Sequence, residues 1–184
     1  MQVPGFITRK QADYLRTRVK MFACPHCGKV GMLILHGFLR GYDEHKTFRV
    51  IKARRLFCSN RNRRTGCGRT SSCRLAIFLK NLLISTKTAW RFLQAVSQGL
   101  SLEKAYNSLE PDQALSLETL YFFWSRFKEA CHHIRSYLAN HCTLFPHKAA
   151  SVQQETIKQL ECSLARTFLD PIAAFQLASQ TSFV

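Results

Sequence analysis

The chain has 184 residues, 46% of them apolar and 21% charged, the proportions of a globular protein with one or two compact cores. Its 27 lysines and arginines against 11 acids give a net charge of +16 and a pI near 10.0, which points to a polyanionic partner. No run approaches the roughly 20 apolar residues of a membrane span, so a membrane is the weaker candidate for that partner and none is expected.

The charge is unevenly placed. Residues 1–80 carry 18 lysines and arginines against Asp13, Asp43 and Glu44, a balance of +15, whereas residues 81–184 come to +1. Such asymmetry is a footprint of nucleic-acid or membrane binding, the former being expected here. The first 20 residues are charged where a secretory signal needs an apolar core, so a cytoplasmic, nucleoid-associated protein is expected. Eight cysteines in that setting point to a metal or to buried thiols rather than disulfides.

In chain order, residues 1–20 form a basic arm with one helix. Thr8 is its N-cap, Ala12, Leu15 and Val19 recur at helical spacing, and Arg9, Lys10, Arg16, Arg18 and Lys20 face outward. Residues 21–74 hold two cysteine clusters and two runs rich in β-formers. Met32–Leu39 and Thr47–Phe57 read as strands, joined by the polar segment Gly41-Tyr42-Asp43-Glu44-His45 as a hairpin. From about residue 75 the period becomes helical. Helices are expected over 86–98 after a Ser85 cap with a stop at Gly99, over 101–109, and over 116–140 from Ser116. The third carries Leu117, Leu120, Phe123, Trp124, Phe127, Ile134 and Leu138 mostly on one side. Residues 141–184 read as a helical tail with stretches near 148–167 and 171–180. The fold class is therefore α+β: a small zinc ribbon over 21–74, then an all-α three-helix domain of helix-turn-helix type over 75–140.

The strongest local signal is Cys24-Pro25-His26-Cys27-Gly28. A CxxC followed by glycine turns two thiolates to one side of a metal at about 2.3 Å. A structural zinc needs four ligands, and Cys58 and Cys67, the latter again followed by glycine, supply the second pair. One zinc held by Cys24, Cys27, Cys58 and Cys67 is the expected cofactor, with no open coordination position. Cys73 is the rival for Cys67, and His26 points away from the metal. Cys131, Cys142 and Cys162 are expected in or lining a helical core. Adjacent His132 and His133 diverge on a helix, so no second metal site is expected there.

Between Cys58 and Cys67 lie Arg61, Arg63 and Arg64, with Arg69 just beyond, and the preceding strand interleaves Arg49, Lys52, Arg54 and Arg55 with apolar residues. Guanidinium forks match phosphate oxygens in pairs, and each neutralised phosphate releases counterions. Salt-sensitive, largely sequence-independent nucleic-acid binding is the expectation. On the third helix Ser116, Glu118, Thr119 and Tyr121 are candidate base readers, and Arg126 and Lys128 candidate phosphate contacts. The connection 110–115 is long for a helix-turn-helix unit, and Glu103, Glu110, Asp112 and Glu118 oppose phosphates. A bundle for oligomerisation or partner docking therefore stays open.

These residues, Cys-Pro-His-Cys-Gly, Arg-Leu-Phe-Cys-Ser-Asn and Gly-Cys-Gly-Arg-Thr followed by three helices, resemble the zinc-ribbon and helix-turn-helix region of bacterial insertion-sequence transposases over about 21–140. The resemblance implies DNA recognition, with Cys24, Cys27, Cys58 and Cys67 as zinc ligands. The family's catalytic carboxylates have no counterpart, and Glu155, Glu161 and Asp170 are too few and too poorly set to hold metal-bound water. No Ser-His-Asp order or phosphate-cradling glycine loop is present either, so no enzyme is expected. The expected role is a non-catalytic accessory or regulatory factor of a mobile-element or recombination system. Its partners would be DNA ahead of RNA, a larger catalytic or effector protein, and a second copy of the chain. An RNA-binding ribonucleoprotein subunit and a protein adaptor are the alternatives. Residues 170–184 have no assigned role beyond a possible docking segment.

Overall fold

The computed structural model describes residues 1–109, 115–143, 149–164 and 169–184. It is an α+β protein with a four-stranded sheet and six α-helices among these residues. No helix among them is long and apolar enough to cross a membrane. The chain divides into two compact units, Met1–Gly41 with Arg49–Ala76, and Tyr42–Phe48 with Ile77–Val184.

The first unit carries β1 (Phe6–Ile7), α1 (Arg9–Arg18), β2 (Leu33–Tyr42), β3 (Arg49–Cys58) and β4 (Thr70–Leu75). Thr8 caps α1 by a reciprocal box, accepting from the Gln11 N–H while the Gln11 side chain accepts from the Thr8 N–H. Both orphan donors are thereby satisfied. The sheet order is β1-β4-β3-β2, two strands more than a hairpin. β4 pairs antiparallel with β3 in one unbroken register from Ala53 opposite Arg74 to Phe57 opposite Thr70. β1 pairs in parallel with β4, Phe6 opposite Arg74. Because side chains alternate along a strand, Arg54, Leu56 and Cys58 share one face with Ser71, Cys73 and Leu75. Leu56, Cys58, Cys73 and Leu75 are buried there, and Leu15 and Val19 beneath α1 join the core.

The second unit is helical: α2 (Thr86–Ser97), α3 (Leu102–Asn107), α4 (Leu117–His141), α5 (Val152–Leu164) and α6 (Pro171–Ser179). Ser85, Ser101 and Ser116 cap α2, α3 and α4, each accepting a backbone N–H three residues on. The connection 110–114 lies outside the described residues, as do residues 148 and 165–167 of the expected fourth helix. On α4, Leu120, Phe123, Phe127, Cys131, Ile134 and Leu138 are buried at three- and four-residue steps. They meet Phe92 and Leu93 of α2 and Phe175 of α6 in one core. The hairpin tip belongs to this unit: Asp43 Oδ1 accepts from the Thr47 N–H at 3.0 Å, and Glu44 Oε2 from the Ser85 N–H at 3.0 Å.

Residues 170–184 contribute side chains to the core of the second unit. Phe183 is fully buried, stacked on Phe127 at 5.8 Å and edge-on to Phe175 at 5.7 Å. Gln176, also fully buried, donates to the Phe78 carbonyl at 3.3 Å and accepts from the Phe183 N–H at 3.2 Å. A segment this apolar completes the core of its own unit. Cys131 is buried as expected and Cys142 half-buried, but Cys162 is exposed, its position on α5 falling outside the stripe of Thr156, Ile157, Leu160 and Leu164.

Candidate metal centre

Each cysteine pair is presented by a glycine-ended turn of the same form. In the first, the Cys24 N–H donates to the Lys29 carbonyl at 3.0 Å and the Gly28 N–H to the Cys24 carbonyl at 2.8 Å. In the second, the Cys58 N–H donates to the Arg69 carbonyl and the Gly68 N–H to the Cys58 carbonyl, both at 2.9 Å. Gly28 and Gly68 stand at φ +73° and +72°, left-handed backbone that residues with a Cβ rarely adopt. The twin turns explain why Cys-Gly appears twice in the sequence.

The two turns bring Cys24, Cys27, Cys58 and Cys67 together with all four sulfurs within 4.8 Å of one another. Cys24 Sγ lies 3.7 Å from Cys67 Sγ, and Cys27 Sγ 3.8 Å from Cys58 Sγ. Four thiolates set tetrahedrally at about 2.3 Å from a zinc stand about 3.8 Å apart. Two of the cluster's six sulfur–sulfur edges therefore have the length expected in a tetrahedral metal site, and the rest lie within 4.8 Å. Neither pair is at disulfide distance, about 2.05 Å. Cys73 is not part of the group; it is buried on the sheet, and burial pushes its thiol up to about 12.

The electrostatics of the four sulfurs conflict without a cation. Burial raises the Cys24 thiol, but backbone hydrogen bonds from His26 and Cys27 and side-chain bonds to Cys58 and Cys67 outweigh it and bring it to about 7. For Cys58 burial wins, and with its three neighbouring thiols it reaches about 12 despite a hydrogen bond from the Cys67 N–H. One sulfur is ready to ionise and another is held protonated, chiefly by its burial. A divalent cation at the centre removes that conflict, since coordinating thiols deprotonate outright. The His26 N–H points at Cys24 Sγ at 3.4 Å and the Cys67 N–H at Cys58 Sγ at 3.3 Å, the outer hydrogen bonds that hold metal ligands in place. The His26 residue itself is exposed.

The arginines sit where the second turn places them. The Arg64 N–H donates to the Arg61 carbonyl at 3.1 Å, closing a turn whose central residues Asn62 and Arg63 have φ of 53° and 63°. Both central φ values are positive, as in a type I′ turn. Arg61, Arg63, Arg64 and Arg69 are all exposed, and Arg61 lies 5.6 Å above the Phe57 ring. Lys29 Nζ donates to the Thr65 carbonyl at 2.6 Å, tying the first cysteine turn to the arginine loop. Nothing in the spacing of the cysteines announces that contact; a cation immediately after Cys27-Gly28 is its only trace in sequence.

The other expected contacts are dispersed. On β3, Arg49 is exposed while Lys52, Arg54 and Arg55 are half-buried, and the Arg54 guanidinium stacks 4.0 Å over the Phe38 ring. On α4, the Ser116 hydroxyl accepts from the Thr119 N–H at 3.3 Å and meets the Thr119 hydroxyl at 3.0 Å, so both serve the cap. Glu118, Tyr121, Arg126 and Lys128 are exposed, with Arg126 lying 5.7 Å over the Phe122 ring. Ser116 and Thr119 also line a small recess of about 220 Å³ with Lys46 and Asn81.

No family model matches the chain, and neither does any curated protein or solved structure.

Proposed function

We propose that the chain is a zinc-dependent nucleic-acid-binding protein, duplex DNA being its ligand, that serves as a non-catalytic accessory or regulatory factor in a mobile-element or recombination system. The first unit acts as an elaborated zinc ribbon. Cys24, Cys27, Cys58 and Cys67 hold one structural zinc, and the Arg61–Arg64 turn offers an array of guanidiniums to phosphate. The carrying observation is that the four-sulfur cluster and the arginine turn are one piece of backbone, braced by the Lys29 bond to Thr65. Arginines fixed before contact lose less freedom on binding than arginines on a loose loop. In the second unit α2, α3 and α4 follow one another as capped helices in helix-turn-helix order, with Arg126 exposed on the third. This supports a second contact to the same duplex.

The test is metal assay combined with a salt series. Purified protein is expected to carry one zinc per chain, lost in Cys27→Ser. Duplex DNA affinity is measured from 50 to 200 mM salt for the wild type and for a triple variant with Arg61, Arg63 and Arg64 changed to Ala. Each lost phosphate contact lowers the slope of log K against log salt by about 0.9, so three lower it by about 2.7. Over a fourfold change in salt this is about a 40-fold difference in how steeply affinity falls. Absence of stoichiometric metal, or an unchanged slope in the triple variant, overturns the proposal.

A further inference from the structure

The first unit has a cleft of about 510 Å³ between α1 and the β2–β3 ribbon, on residues distinct from the metal centre. Four arginines line it, Arg9 from α1, Arg40 from β2, and Arg49 and Arg54 from β3, against a single acid, Asp13. Four guanidiniums facing one carboxylate make a strongly cationic recess, of a kind that focuses field on an anion. Its wall carries an aromatic ring as well. Phe38 is 44% exposed, with the Arg54 guanidinium 4.0 Å from the ring centroid. Arg54 Nε is shut away from solvent with no hydrogen-bond partner among the described residues. The contact with Phe38 therefore holds this guanidinium.

A cationic groove with an aromatic platform is the combination that receives unpaired nucleotides, the phosphates meeting the arginines and a base meeting the ring. A duplex cannot use such a ring, because its bases are stacked on one another and present only their edges in the grooves. The cleft volume is within the range of sites that enclose a small ligand. It suits one nucleotide with its flanking phosphates and excludes a double helix.

We infer that this cleft binds an unpaired nucleotide of a single-stranded nucleic acid, its base stacked on Phe38 and its phosphates held by Arg9, Arg40 and Arg49. The inference rests on the nucleic-acid-binding reading above and extends it: the arginine turn at the metal centre engages duplex, while the cleft engages a strand end or a displaced strand beside it. Such a protein would favour a junction of duplex and single strand over either alone.

The test compares fluorescently labelled ten-residue oligo(dT), ten-residue oligo(U) and a 20-base-pair duplex on the full chain and on Phe38→Ala and Phe38→Trp. Base stacking is worth about 1–3 kcal/mol by alanine substitution, so Phe38→Ala is expected to weaken single-strand binding by roughly 5- to 150-fold. Duplex affinity and zinc content should stay unchanged, and Phe38→Trp should restore single-strand binding. The two oligonucleotides report whether the strand held is DNA or RNA, and tight binding of either supports the assignment. Equal losses for duplex and single strand would make Phe38 a structural residue and overturn it, as would undiminished oligonucleotide binding by Phe38→Ala. A wild-type chain that binds the duplex but neither oligonucleotide removes the cleft assignment alone. A chain that binds none of the three removes the nucleic-acid reading with it.

Discussion

Gly66 is the position at which one added carbon should disable the metal centre. A Cβ built there would lie 2.3 Å from the Ser59 carbonyl oxygen, 2.7 Å from its carbon and 2.9 Å from the Cys58 carbonyl carbon. All three are backbone atoms of the segment that carries the Cys58 ligand, so no side-chain rotation relieves the clash. Bringing the closest contact to 3.0 Å, a separation below which Cβ atoms are essentially never found, needs a displacement of about 0.7 Å. Metal–ligand distances tolerate about 0.2 Å, so the Cys58 sulfur, 3.8 Å from Cys27 Sγ, would be carried off its tetrahedral position. Gly66→Ala should therefore cost at least the 10- to 100-fold in metal affinity that follows from disturbing a ligand's support. Gly41→Ala is the control. There a Cβ meets only the Lys52 side chain, at 3.2 Å from Cε and 3.3 Å from Cδ, and a flexible lysine can give way. Titration of the zinc-loaded proteins with a competing chromogenic chelator reads both affinities directly. If Gly66→Ala retains zinc as tightly as Gly41→Ala, the backbone between Cys58 and Cys67 does not define the site, and the argument from its geometry fails.

Two further outcomes concern the helical unit. Phe183→Ala removes a fully buried ring packed on Phe127 and Phe175 and should destabilise that unit by about 3–5 kcal/mol. Urea unfolding followed by tryptophan fluorescence would show it, and a loss under 1 kcal/mol would contradict the packing. Asp170 caps α6 and accepts from the Thr86 hydroxyl at 2.8 Å, yet burial outweighs these bonds and raises its carboxyl above the ordinary value. The folded state then binds more protons than the unfolded state between the two pKa values. Stability contributed by this group is thus fully present below about pH 3.9 and is lost as pH rises through the folded value. Stability of Asp170→Asn, measured against the wild type across pH 3.5 to 7, should lack that downward slope. A wild-type curve that rises relative to the variant over this window reverses the sign and refutes the burial account.

The parts of the molecule governed by local rules were legible in the sequence. Ser85, Ser101 and Ser116 announce helices because a hydroxyl at the N-cap satisfies a backbone donor three residues on, and each does so. The four cysteines were legible because paired spacing followed by glycine is the pattern of a metal-binding turn, and their sulfurs do come together. β4 was not, since Thr70-Ser-Ser-Cys-Arg-Leu75 buries only Cys73 and Leu75, too weak a period to stand out. β1 has two residues and exists only because β4 offers it an edge. The tail's helix was legible, but its place in the core was not, for the opposite reason. Pro171–Ser179 is apolar all round, with Pro171 to Gln176 buried without a break, so it lacks the polar face that marks an ordinary surface helix. The cleft by Phe38 joins residues from α1, β2 and β3, and only tertiary structure brings these together.

The location of the cysteines and the charge are connected by energetics. Residues 1–80 carry a balance of +15, and self-repulsion on that scale works against a compact state. A unit of this size has little core with which to oppose it. Cross-links between Cys24 and Cys67, 43 residues apart, and between Cys27 and Cys58, 31 apart, would close long stretches of chain, which is where loop closure restricts the unfolded state most. Structural zinc contributes on the order of 10–16 kcal/mol in small domains, enough to hold a unit whose surface charge would otherwise open it. A polyanion acts on the same balance from outside, relieving the repulsion only when the arginines are displayed together. If the proposed function holds, both ligands would favour the same folded state, and linkage would require each to tighten the binding of the other. On the proposed function, the cationic surface that would recruit nucleic acid is thus also the reason the unit would need a metal.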